Sequence, residues 1–324
     1  MAVDRAVGPR TISRRDILRY SGCAAVALTS AALVSGCGIR LEDDAPPIPL
    51  LQRKSVPDEA LLIDAVHRLT TLTQLAGRVP KPSDAVTALG TLHGAQAEVL
   101  RARLVQAGVP NHVIDASTPT SSPSAAVSAP ASSTTADVKA AESATVTALL
   151  RGLPSTSNDN RTVLASVVAA CADGLDRLGD SVIWPAADPV SPDGAATLLE
   201  ATRAAAYAFQ VVAAQTNGNT RAAAITTHAA LDTRETELAA MAGSAAPSAP
   251  LGYALPFPVN GPTPATKLAV QVLTTLVADG LAPLQNVPEG STAVVTLVRF
   301  LVGASRLASS WGVAAVPFPG MTYP

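Results

Sequence analysis

Apolar positions recur at three- and four-residue spacing along most of the chain, interrupted by short Gly-, Pro- or Ser-rich breaks. The pattern predicts eight helices, over 57–77, 83–108, 136–152, 159–179, 193–216, 220–243, 264–285 and 291–312. Each run opens near a proline or a residue whose side chain can cap backbone N–H groups, and most close at glycine. Strand signals are nearly absent: aromatics are 3% of the chain, and there is no sustained alternation of β-branched residues. The expected fold class is all-α.

The breaks carry the organisation. Helices 1 and 2 are joined by a few residues, as are 3 and 4. Between 2 and 3 lie residues 109–135, "VPNHVIDASTPTSSPSAAVSAPASSTT". The second half repeats the plan, with its long connection at 244–263. A four-helix bundle with one long connection between its second and third helices has ferritin-like connectivity. Two such bundles in tandem are expected, over residues 57–180 and 193–324. Residues 116–135 are Ser, Thr, Pro and Ala without periodicity, which reads as a solvated loop open to O-glycosylation.

The N-terminus reads differently. Residues 1–36 hold five arginines and two aspartates, although the whole chain has a net charge of −2. The body is therefore mildly acidic and lacks the basic patch that nucleic acid would need. "SRRDIL" at 13–18 precedes seventeen weakly apolar residues and then "VSGC" at 34–37. Ser13-Arg14-Arg15-Asp16-Ile17-Leu18 resembles the twin-arginine export signal, with Ile17 where an aromatic is usual. Val34-Ser35-Gly36-Cys37 resembles the lipobox of bacterial lipoproteins. The resemblance implies a signal peptide over 1–36, diacylglycerol and palmitate on Cys37, and a tether over 37–56 that is extended by Pro46, Pro47 and Pro49. It also implies a cell-membrane location, anchored by lipid on the extracytoplasmic face. An uncleaved N-terminal anchor is the alternative. Beyond this region no apolar run is expected to span a bilayer. With the signal removed and Cys37 lipidated, Cys171 is the remaining thiol, and a buried, inert one is expected.

Two Pro-Phe-Pro stretches, "GYALPFPVNG" at 252–261 and "VPFPG" at 316–320, concentrate the scarce aromatics. Such stiff segments lose little entropy on docking. Both are expected to buckle across open faces of the second bundle, the first through Tyr253, Pro256, Phe257 and Pro258. "EATRAAAYAFQVVAAQ", "TRETELAAM", "GYALPFPVNGPTPATKLAVQVL" and "ASSWG" together resemble an actinobacterial ferritin-like domain family of unknown function, over about residues 193–320. The resemblance implies the bundle topology and an actinobacterial source, and supplies no activity. That family has Glu-His near the start of its first helix. Here Glu200 is followed by Ala201.

Ferritin-like di-iron proteins draw a Glu from two helices and Glu-x-x-His from the other two. No Glu-x-x-His occurs in the chain. Asp64-x-x-His67 comes nearest, but both residues fall off the Leu62, Val66, Leu69 and Leu72 face and are expected in solvent. Glu200 also points away from its helix's apolar face, and the last helix has neither acid nor histidine. His93 and Gln96 share the face of Leu89, Leu92 and Leu100, and His228 shares that of Ala224 and Leu231, with Glu235 two turns on. These four are the inward polar candidates, expected to be hydrogen-bonded rather than to bind a cofactor. There is no Gly-x-Ser-x-Gly and no glycine-rich phosphate loop. The reading is a non-catalytic envelope lipoprotein that meets a protein or glycan partner. A ferritin-like metal or redox protein with a degenerate site is the alternative.

Overall fold

In the computed structural model, residues 53–116 and 132–321 are described. Arg14, Arg15, Cys37 and the centre of the Ser/Thr/Pro loop lie outside them. The described residues are helical, with no strand among them. The long helices are α1 (Glu59–Gly77), α2 (Asp84–Gln106), α4 (Thr135–Gly152), α5 (Asn158–Arg177), α6 (Pro192–Gln215), α7 (Gly218–Ala242), α8 (Pro262–Asp279) and α9 (Ala293–Ser310). Their starts follow local chemistry. Ser83 accepts from the Val86 N–H, and Ser191 accepts from the Gly194 N–H. Thr134 and Asp137 form a reciprocal capping box.

A short helix, α3 (Asn111–Asp115), occupies the connection the sequence reads as irregular. Its Ile114 is fully buried and its carbonyl meets the His67 ring at 2.5 Å. His67 is therefore half-buried under α3 rather than solvated, while Asp64 pairs with Arg68 at 2.7 Å on the same helix.

Helix pairing follows one order twice. In the first half α1 packs on α2 and on α4, and α4 packs on α5. In the second half α6 packs on α7 and on α8, and α8 packs on α9. Residues from Lys54 onward form one compact unit, and a single cluster of buried residues runs through both halves. The seam is α5 against α9. From Val163 to Leu175 every residue of α5 is buried, because it is covered from both sides. The largest fully buried side chain, Arg161, lies at its start. It has no carboxylate partner among the hydrogen bonds it makes: its guanidinium donates to the carbonyls of Thr156 and Val287, the latter at 2.6 Å across the seam.

Two helical stretches, Pro262–Asn286 and Ala293–Ser310, reach the length and mean hydropathy (1.3) of a membrane span, which the sequence reading did not anticipate. About half of each is packed into the protein's own core (44% and 56%). Alanine- and valine-rich core helices pass the same compositional test as spans.

Candidate functional site

The chemistry-bearing residues meet in the first half. On α2 the buried face runs Leu89, Leu92, His93, Gln96, Leu100, so His93 and Gln96 stack one turn apart and inward. On α4 the buried face runs Val138, Glu142, Thr145, Val146, Leu149, and Glu142 takes the place of an apolar residue. On α5 the same level is held by Cys171. His93, Glu142 and Cys171 each offer a ligand-type atom, and all three atoms lie within 4.8 Å of one another. Their exposures are 1%, 0% and 0%.

Proton positions follow from the partners. The Gln96 amide donates from Nε2 to the Pro317 carbonyl at 2.5 Å, which leaves Gln96 Oε1 facing His93 Nδ1 at 2.9 Å. An amide oxygen only accepts, so Nδ1 carries a proton. His93 Nε2 lies 2.5 Å from Glu142 Oε1, so one proton is shared between the ring and the acid. Burial opposes a charged ring, but the Glu142 charge and the hydrogen bonds from Glu142 and Gln96 outweigh it and raise the His93 pKa. Burial, and then the Glu142 charge, push the Cys171 thiol well above its ordinary value. The thiol stays protonated and non-nucleophilic in this state. Gly174, one turn beyond Cys171, leaves the room these groups need. A Cβ there would stand 2.7 Å from Leu89 Cδ2 and 3.0 Å from Glu142 Oε1.

The C-terminal segment closes the cluster. Besides the Gln96 bond to Pro317, the Ser166 hydroxyl of α5 donates to the Pro319 carbonyl at 2.6 Å, and Phe318 between them is buried. The "VPFPG" stretch thus fastens onto α2 and α5 of the first half. It also meets the second half, where the sequence reading placed it: a Cβ at Gly320 would stand 2.9 Å from Leu281 Cγ. The other stretch does lie on the second half. Tyr253, Leu255 and Phe257 are half-buried, and alternate with exposed Ala254, Pro256 and Pro258. The Tyr253 ring meets Tyr207 of α6 at 5.9 Å, and Lys267 of α8 lies 5.1 Å over Phe257. Tyr253 and Pro256 roof a cleft of about 300 Å³ between α6 and α8.

His228 and Glu235 are not brought inward. Both are half-buried at the surface of α7. His228 contacts Gln210 at 3.1 Å, while Glu235 pairs with Arg203 at 2.8 Å. The core is reached instead by Thr227, the residue before His228, which accepts from Trp311 Nε1 at 2.9 Å. Glu142 and Cys171 are the members that sequence reasoning missed. The signal for Glu142 was its spacing from Val138, Val146 and Leu149, which puts an acid in the middle of an apolar face. Glu200 is exposed, and α9 offers no ligand. Among the described residues the carboxylate-rich set of a di-iron centre is not met: the first half brings together one carboxyl group, one imidazole and one thiol.

No curated protein and no solved structure matches the chain. A family described as a domain of unknown function (DUF4439) is found over residues 194–323, which covers α6 to α9 and the C-terminal segment and leaves His93, Gln96, Glu142 and Cys171 outside it.

Proposed function

We propose that the chain is a lipid-anchored extracytoplasmic protein whose body, two tandem ferritin-like four-helix bundles, is a non-catalytic interaction or structural module of the envelope. The observation that carries the non-catalytic reading is the closure of the first-half cluster. A base, an acid and a thiol meet there, yet all three are buried beneath α2, α4, α5 and the 316–320 segment. A substrate would have to displace packed helices to reach them. The repeated pairing order of the helices supports the tandem arrangement. The arginine pair and the sequence around Cys37 support export and lipidation.

The test is metabolic labelling of the full chain with a palmitate analogue, followed by membrane fractionation. Label and membrane association are expected for the natural chain, and both should be lost in Cys37→Ala. Exchange of Arg14 and Arg15 for lysine together should hold the chain in the cytoplasm as an unprocessed precursor. Labelled, membrane-bound Cys37→Ala protein would contradict the anchor.

A further inference from the structure

Going beyond that reading, we propose that His93, Glu142 and Cys171 form a buried site for one divalent zinc-class ion that clamps α2, α4 and α5 together. The first argument is the donor set. Nitrogen, oxygen and sulfur from three helices converge within 4.8 Å. A tetrahedral zinc ion, with bonds of about 2.0–2.3 Å, spaces its ligands about 3.4–3.7 Å apart. Converting the cluster to a site requires the 2.5 Å contact of His93 with Glu142 to open by roughly 1 Å.

The second argument is an orphan. Glu142 Oε1 accepts from His93, but Oε2 is buried without a hydrogen-bond partner. A buried carboxylate oxygen left without a donor or cation is costly. An ion bound to the carboxylate removes that cost, and His93, Glu142 and Cys171 supply three of the four ligands of a tetrahedral ion, a solvent molecule taking the fourth. The third argument is orientation. Gln96 Oε1 already holds His93 Nδ1, and the Pro317 carbonyl fixes Gln96 in turn. That outer contact presents Nε2 to the ion, as outer partners of ligating histidines do.

On binding, Cys171 gives up its thiol proton and meets the ion as thiolate, and His93 meets it through an unprotonated Nε2. The thiolate disfavours calcium and magnesium, which take oxygen ligands, and favours zinc or its spectroscopic substitute cobalt.

The test uses the full mature chain produced in cobalt-supplemented minimal medium and purified without chelator, with a zinc-supplemented culture in parallel. One metal per chain is expected by elemental analysis. The cobalt form should show a sulfur-to-cobalt charge-transfer band and the intense visible bands of a four-coordinate ion. Cys171→Ser should lose the charge-transfer band. Glu142→Gln keeps the size of the side chain and an acceptor for His93, and should lower bound cobalt at least tenfold at unchanged helicity. If Cys171→Ser does not fold, the cobalt content of Glu142→Gln decides. Folded natural protein free of both metals overturns the site, and so does a charge-transfer band that survives in Cys171→Ser. Neither result bears on the lipid anchor, which is read by labelling and fractionation.

Discussion

The two halves share a helix order and fill their centres in opposite ways. Among α6 to α9 the centre is apolar: Phe209 is fully buried, and its ring meets Trp311 edge-on at 5.3 Å. Thr202 and Thr227 there are satisfied singly, while Ser305 Oγ is buried without a hydrogen-bond partner. Thr202 donates back to the Leu198 carbonyl within its own helix, and Thr227 accepts from the indole. Among α1 to α5 the same central place holds an imidazole ring, a carboxyl group, an amide and a thiol. Alanine-rich helices leave space at a bundle axis that large side chains must fill. An aromatic pair fills it with dispersion and needs no partner. A polar network fills it only when its members stay paired, and it fails as a unit. The difference teaches that bundle geometry does not dictate the chemistry of the core. It also explains why the C-terminal segment fastens where it does: Gln96 and Ser166 in the polar half offer donors to the carbonyls of Pro317 and Pro319.

Breaking each centre sharpens the contrast. In chelator-treated protein, Glu142→Ala should cost about 3–5 kcal/mol, because it breaks a fully buried pair and leaves His93 without its partner. Phe209→Ala should cost a similar ~3–5 kcal/mol through its cavity. The two losses differ in their rescue. Adding His93→Leu to Glu142→Leu should recover most of the loss of the single acid variant, since removing both partners leaves nothing unpaired. Urea denaturation of the single and double variants checks this, and an additive double variant would mean that the pair is not coupled. Gln96→Leu should cost about 2 kcal/mol, the scale of a hydrogen bond to a charged group. It should also speed amide exchange around Phe318, since the 316–320 segment loses its tie to α2.

Smaller effects lie at the edges. Thr134→Ala at the start of α4 should cost about 1 kcal/mol. The backbone N–H of Thr134, and then its hydroxyl, hold the Asp137 carboxyl below its ordinary value. Its folded pKa is lowered, so its contribution is present above the unfolded value and is lost as pH falls through the folded one. The Thr134→Ala variant should show a shallower loss of stability on acidification. Smallest of all, His228→Ala should change stability by no more than about 0.5 kcal/mol, because the ring is half-buried beside Gln210 and no buried partner depends on it.

Much of the helical framework is legible in the sequence because caps and three-to-four spacing are local signals. The pattern places α4 at 136–152 and the structure at Thr135–Gly152. What escaped was set by packing between distant segments. α3 is five residues with no period of its own, and Ile114 makes it helical by docking over His67. The inward faces of His93 and Gln96 were legible from Leu89 and Leu100. His228 was misplaced because α7 has almost no amphipathic contrast: Ala224, Thr227, Leu231, Leu238 and Ala242 alone are buried along its 25 residues. Which segments would meet at the centre was not legible at all. His93 and Glu142 are 49 residues apart, and Gln96 reaches a carbonyl 221 residues away.

The most direct test of the sealed core is the reactivity of Cys171. In a chelator-treated chain carrying Cys23→Ser and Cys37→Ser, Cys171 is the sole thiol. An aromatic disulfide reagent applied to the folded protein should leave it unmodified until denaturant unfolds the chain, with the rate following global unfolding. Rapid modification of the folded protein would show that the cluster opens to small molecules, and would contradict the account of a closed, non-catalytic core.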